Sequence, residues 1–211
     1  MKIVWHGHAC FSVENSLTVV FDPHDGESIG LHPPDVKGDI ILVSHHHFDH
    51  DAVRVVSKEN STLIDSPGTH TIGEIQVKSV QVFHDPKNGS LRGPNIIHRM
   101  EYSDITFCHL GDLGHVLTEN VVKELLPVDI LFIPVGGKYT IDHKEAKIVA
   151  DQLKPSIVIP MHYQIPGLTL GLDGVETFVE GMDSLKLESN VWELPEKLPD
   201  EKAVVFKYSG R

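Results

Sequence analysis

Asp39-Ile40-Ile41-Leu42-Val43-Ser44 runs directly into His45-His46-His47-Phe48-Asp49-His50-Asp51, and this junction decides the reading of the chain. The apolar run is rich in β-branched residues and reads as a buried strand. The spacing His45-x-His47-x-Asp49-His50 then sets three imidazoles and a carboxylate where a core strand gives way to a loop. Imidazole and carboxylate are the usual ligands of zinc and its first-row neighbours. Alternate residues of an extended chain point the same way, so His45 and His47 can grip one ion while His46 points elsewhere. Asp49 and His50 lie just past the strand, where a turn can aim them at a second ion. The strand before the cluster and the carboxylate inside it set it apart from a loose histidine-rich tract.

Around this junction the first half carries strand signals. Lys2–Trp5, Cys10–Glu14 and Leu17–Phe21 read as a meander, with Asn15-Ser16 as a turn. A short helix near Ala52–Ser57, a strand at Thr62–Asp65 and a hairpin over Thr71–Val82 follow. Ile96–Tyr102 and Ile105–Cys108 flank the turn pair Ser103-Asp104. The second half alternates. Thr118 can cap a helix through Leu126, Asp129–Pro134 is an apolar strand, and Asp142 with Glu145 fits a capping box. Ser156–Pro160, a helix near Val175–Met182 and a last strand at Ala203–Lys207 complete the pattern. Strands first and strand–helix alternation later suggest two sheets with helices outside them.

Residues 1–211 read as a single domain, with 40% hydrophobic content and no linker or repeat. The formal net charge of −12 disfavours nucleic acid and anionic membrane as partners, but not a small anionic substrate. The chain shows no secretory signal and no transmembrane stretch. Cys10 and Cys108, the only cysteines, sit in apolar surroundings and read as buried free thiols, which favours the cytoplasm. Homo-oligomerisation is left open.

Further ligand-type residues recur at strand ends: Asp22 and His24, His84 and Asp85, His109, Asp112 and His115, and His162. With Gly7-His8-Ala9, Pro134-Val-Gly-Gly137 and Pro160-Met-His162, these motifs resemble the metallo-β-lactamase superfamily from Trp5 to about Tyr163. Within it the chain is similar to the branch of L-ascorbate-6-phosphate lactonase and N-acyl-phosphatidylethanolamine phospholipase D. The resemblance implies an α+β four-layer αββα sandwich, two mixed β-sheets with helices outside, and a dinuclear metal centre at one rim. It implies that His45, His47 and His84 hold the first metal, that Asp49, His50 and His162 hold the second, and that Asp112 bridges them. Asp22 would orient a ligand histidine, and His8 would act near the pocket on substrate or in proton transfer. Asp85, Arg92 and Asn95 would belong to a pocket loop. His98 and His109 are rival third ligands, although the position of His109 favours a buried, hydrogen-bonded imidazole.

Two divalent ions, zinc by default with manganese, iron or nickel tolerated, can activate a shared hydroxide. Asp49 would orient it. The expectation is a metal-dependent hydrolase, of lactonase/esterase or phosphodiesterase type, acting on a small ester, lactone or phosphodiester. The alternatives are a noncatalytic metal- or metabolite-binding protein and a nucleic-acid-processing phosphodiesterase.

Overall fold

The computed structural model describes residues 1–199 and 202–210. Strands β1 (Lys2–Gly7), β2 (Cys10–Glu14) and β3 (Thr18–Phe21) form the expected antiparallel meander. β4 (Gly38–Leu42) and β5 (Ser57–Ile64) extend it in parallel beyond β3. Between them α1 (Val53–Val56) is a single helical turn. The second sheet begins with the hairpin β6 (Gly68–Ile72) and β7 (Ile75–Phe83), continues antiparallel through β8 (Pro94–Tyr102) and β9 (Ile105–His109), and then turns parallel. Its parallel members are β10 (Ile130–Pro134), β11 (Ile157–Met161), β14 (Lys202–Val205) and β12 (Ser184–Lys186). β13 (Val191–Glu193) crosses back to pair with β1. The result is a six-stranded sheet, β13-β1-β2-β3-β4-β5, facing an eight-stranded one, β12-β14-β11-β10-β9-β8-β7-β6.

This is the α+β sandwich of two mixed sheets, with few helices. α2 (Glu119–Leu125), α3 (His143–Leu153) and α4 (Glu176–Val179) supply most of the helix. α3 starts on the expected capping box. Asp142 Oδ1 accepts from Lys144 N at 2.8 Å and Glu145 N at 3.0 Å, while Asp142 N donates to Glu145 Oε2 at 3.2 Å. Its buried stripe is Ala146, Val149 and Leu153, the helical spacing of one face. The helix expected over Val175–Met182 shortens to α4, and the short strands β12 and β13 were not expected.

The core lies between the sheets. Phe11 and Phe21 of one sheet meet Phe132 of the other, with ring centroids 4.6 and 5.8 Å apart. Truncating fully buried Phe132 to Ala should cost about 3–5 kcal/mol. A smaller cluster of Cys10, Val20, Ile41, Val43 and Val56 seats α1 on the outer face of the first sheet. The pairing directions place the C-terminal ends of β1, β3 and β4 at one edge of the first sheet, and those of β7, β9, β10 and β11 at one edge of the second.

Candidate metal centre

Each candidate ligand leaves its strand at these C-terminal ends. β4 stops at Leu42, so the histidine cluster occupies irregular backbone rather than a strand. The alternation still holds locally. The rings of His45 and His47 lie 4.5 Å apart, while His46 is exposed and its Nδ1 pairs with Asp51 at 2.7 Å. A hydrogen bond from His50 N to His47 O, 3.0 Å, closes the turn that brings Asp49 and His50 inward.

The expected ligands gather in two groups whose donor atoms lie within 4.8 Å of one another. One is His45, His47 and His84. The other is Asp49, His50 and His162, joined by His8. Asp112 stands between them. Its Oδ2 is 3.2 Å from both His84 Nε2 and His162 Nε2, and its Oδ1 is 3.3 Å from His50 Nε2. All these residues except half-exposed His47 are buried.

Asp22 organises the floor. Its Oδ1 accepts from Ser44 N at 2.7 Å, and its Oδ2 accepts from Ser44 Oγ at 2.7 Å and pairs with His50 Nδ1 at 2.9 Å. Ser44 Oγ in turn lies 2.9 Å from His45 Nδ1. Because the Ser44 proton goes to Asp22, His45 Nδ1–H donates to Ser44, and His50 Nδ1–H donates to Asp22. One carboxylate therefore fixes the orientation of two histidines and turns Nε2 of each toward Asp112. Those two Nε2 atoms and Asp112 Oδ1 are buried without a hydrogen-bond partner. Unpartnered nitrogens and a carboxylate oxygen converging on one space fit divalent cations. Ser44 was missed in the sequence, and its only signal was its place immediately before the histidines.

The charges differ between these histidines. Burial holds His45 and His8 down at about 3, so both are neutral imidazoles at pH 7. Burial also pulls His50 down, but Asp112 and Asp49 outweigh it and raise it well above the imidazole range, so in the ion-free protein His50 Nε2 carries a proton that a bound cation would displace. Burial works against ionisation of Asp112, yet His162 and His50 hold it well below the usual carboxylate range.

Other expected residues stand elsewhere. His8 is fully buried, and its Nε2 lies 3.1 Å from Asp49 Oδ2, so it backs a candidate ligand and offers substrate no open face. Asn95 is not a pocket residue. It is fully buried, donates to Leu110 O at 2.8 Å and accepts from Asp112 N at 3.0 Å, which fixes the turn carrying Asp112. Gly111 in that turn has φ +55°, and a Cβ there would collide with Asn95 Oδ1 and the Ser44 side chain. Asp85 points into its own loop, where its two oxygens accept from the backbone N–H groups of Lys87, Gly89, Leu91 and Arg92. Arg92 is exposed and borders a cavity of about 320 Å³ shared with His45, His46 and His47. His109 and His98 are fully committed. His109 Nε2 donates to Ala9 O at 2.9 Å and Nδ1 accepts from Gly111 N at 3.2 Å. His98 Nε2 donates to Val43 O at 3.0 Å while Nδ1 meets Ser79 Oγ at 2.9 Å. His24 lies in the loop after β3, fully buried, with Nε2 3.1 Å from His6 O.

His8, Asp22 and His162 all take left-handed backbone, with φ of 54°, 42° and 52°. Such conformations cost about 1–3 kcal/mol each for non-glycine residues and persist where the surroundings hold them. All three lie beside the candidate ligands.

A model of the beta-lactamase superfamily domain matches residues 2–162. A UPF0173 metal-dependent hydrolase of Desulforamulus reducens is 31% identical, with 77% of this chain and 84% of that protein covered. One of Thermoplasma acidophilum is 33% identical, with 77% and 83% covered. The crystal structure of a candidate Zn-dependent hydrolase of the metallo-beta-lactamase superfamily from Thermotoga maritima is 42% identical, covers 97% of each chain and superposes with a TM-score of 0.82.

Proposed function

The chain belongs to the metallo-β-lactamase superfamily, among the UPF0173 metal-dependent hydrolases, and from that premise we propose a dinuclear hydrolase of small esters, lactones or phosphodiesters. The observation that carries the reading is Asp112, whose two oxygens reach histidines of both ligand groups. His45, His47 and His84 would hold one ion, Asp49, His50 and His162 the other, and Asp112 would bridge. Two divalent ions, zinc first among them, supply in such a site Lewis-acid polarisation of a carbonyl or phosphoryl oxygen and a water that ionises near neutral pH.

The protein's own contribution is placement. Asp22 turns His50 directly and His45 through Ser44, so that both aim Nε2 toward Asp112. Asn95 fixes Asp112, and His8 holds Asp49. We therefore assign His8 a positioning role in place of the proton transfer expected from sequence. The cavity beside His45 and His47, about 320 Å³, suits a small molecule, which supports the lactonase and esterase end of the range. No described helix is long and apolar enough to cross a membrane. The two buried free thiols support a cytoplasmic location.

The test is turnover of a panel of aryl esters, lactones and phosphodiesters by chelated and metal-restored protein. Activity should disappear with chelation and return with zinc or manganese. Metal-replete protein that turns over nothing in the panel would favour the noncatalytic reading.

A further inference from the structure

Arg92 stands apart from the other charged groups around the site. Its backbone is pinned, because the Asp85 carboxylate accepts from Arg92 N at 2.8 Å and from three other N–H groups of the same loop. Its guanidinium lies 4.9 Å from the centre of the Tyr139 ring, a cation–π contact that fixes its far end. Yet among the described residues no carboxylate pairs with it and no acceptor takes its N–H groups. Arg99 shows the ordinary alternative, with Nε donating to Leu125 O at 2.9 Å and a guanidinium nitrogen on Glu101 at 2.6 Å.

The surroundings say what this arginine could meet. Arg92 borders the same cavity as His45 and His47, with Pro94 and Ile96 as apolar wall and Gln81 as a polar group. Asp65 is the acid of that cavity and lies 3.9 Å from His46 Nε2. Lys138 lies 5.1 Å from the centre of the same Tyr139 ring, but its Nζ donates to Leu170 O at 2.7 Å. Arg92 is therefore the basic group left with a free fork of donors, the geometry that grips a carboxylate or phosphate through two oxygens.

We propose that Arg92 reads an anionic oxygen group, carboxylate or phosphate, on a small substrate lodged in the cavity beside His45 and His47. This deepens the hydrolase reading of the same site by naming the substrate class. The loop fixed by Asp85 holds the base in place before the ligand arrives, which lowers the ordering cost of binding.

The test measures binding rather than turnover, on zinc-loaded protein. The probes share a hydroxamate head for the metals and differ in the tail: pentanohydroxamate, the hydroxamate of glutaric acid with its free carboxylate, and 4-phosphonobutanohydroxamate. By titration calorimetry an anionic tail should tighten binding by about tenfold or more, the order of a charge-assisted hydrogen bond. Arg92→Gln should erase that advantage while leaving metal content, thermal midpoint and affinity for the neutral probe near wild type. Arg92→Lys should keep part of it. A larger gain for phosphonate assigns phosphate esters, and a larger gain for carboxylate assigns carboxylic acids. Equal affinity for charged and neutral tails in the wild type, or an advantage that survives Arg92→Gln, would overturn the proposal. Tail discrimination without turnover of any ester or lactone would count against the hydrolase reading alone.

Discussion

His50 and His109 are both fully buried with Nδ1 toward Asp22 Oδ2, at 2.9 and 3.9 Å, yet the protein completes only one of them. His109 spends Nε2 on Ala9 O and Nδ1 on Gly111 N. His50 spends Nδ1 on Asp22 and leaves Nε2 without a hydrogen-bond partner beside Asp112. Burial does not distinguish these two imidazoles; the unpartnered nitrogen beside Asp112 does. His45 follows His50, and His98 follows His109.

The sharpest break of this comparison is at Asp112, which serves both groups. Asp112→Asn keeps the shape but loses an anionic oxygen. It should take metal content from two equivalents to below one by elemental analysis and abolish metal-dependent hydrolysis. Two full equivalents in that variant would show that the bridge is unnecessary.

The next effect separates the two kinds of histidine directly. His84→Ala should lose the first ion with little loss of stability in the metal-free protein. His109→Ala should keep both ions but lose about 1–3 kcal/mol in denaturant unfolding, because buried Ala9 O and Gly111 N lose their partner. The reverse ranking would move His109 into the ligand set.

Much of this contrast was legible before folding. The strand into His45-x-His47-x-Asp49-His50 gave the site's location, and the Asp142–Glu145 box gave the start of α3. Loop placement was not legible. Asn95 seemed to border the pocket because it follows Arg92, but it folds beneath Asp112, 17 residues on. The split of roles between Asp85 and Arg92 depends on which backbone N–H groups the loop turns inward, and periodicity carries no record of that. β12 and β13, three residues each, are too short to show alternation and exist because β14 and β1 offer free edges.

Asp22 offers a graded test. It touches no proposed ion, so Asp22→Asn should weaken metal binding by about 10–100-fold, the usual effect of losing a ligand's orienting partner. Ser44→Ala, which disturbs only the link to His45, should have the smaller effect of the two. Competition against a zinc chelator would resolve both, and equal affinities in all three proteins would separate histidine orientation from metal binding.

The smallest effect concerns the thiols. Burial pushes Cys108 up to about 12 and Cys10 well above the ordinary thiol range. Their thiolate fractions at pH 8 are therefore negligible, and neither should react with an aromatic disulfide reagent until the protein unfolds. Above the unfolded-state pKa of about 8.5, deprotonation of the unfolded thiols lowers stability as pH rises. Rapid labelling of native protein would contradict their burial.

The most direct measurement is anomalous diffraction at the zinc edge from crystals of zinc-loaded protein. The account predicts two peaks roughly 3.5–4 Å apart. One should lie within bonding distance of His45, His47 and His84 and the other of Asp49, His50 and His162, with Asp112 between them. A single peak, or a peak bonded to His98 or His109, would contradict it.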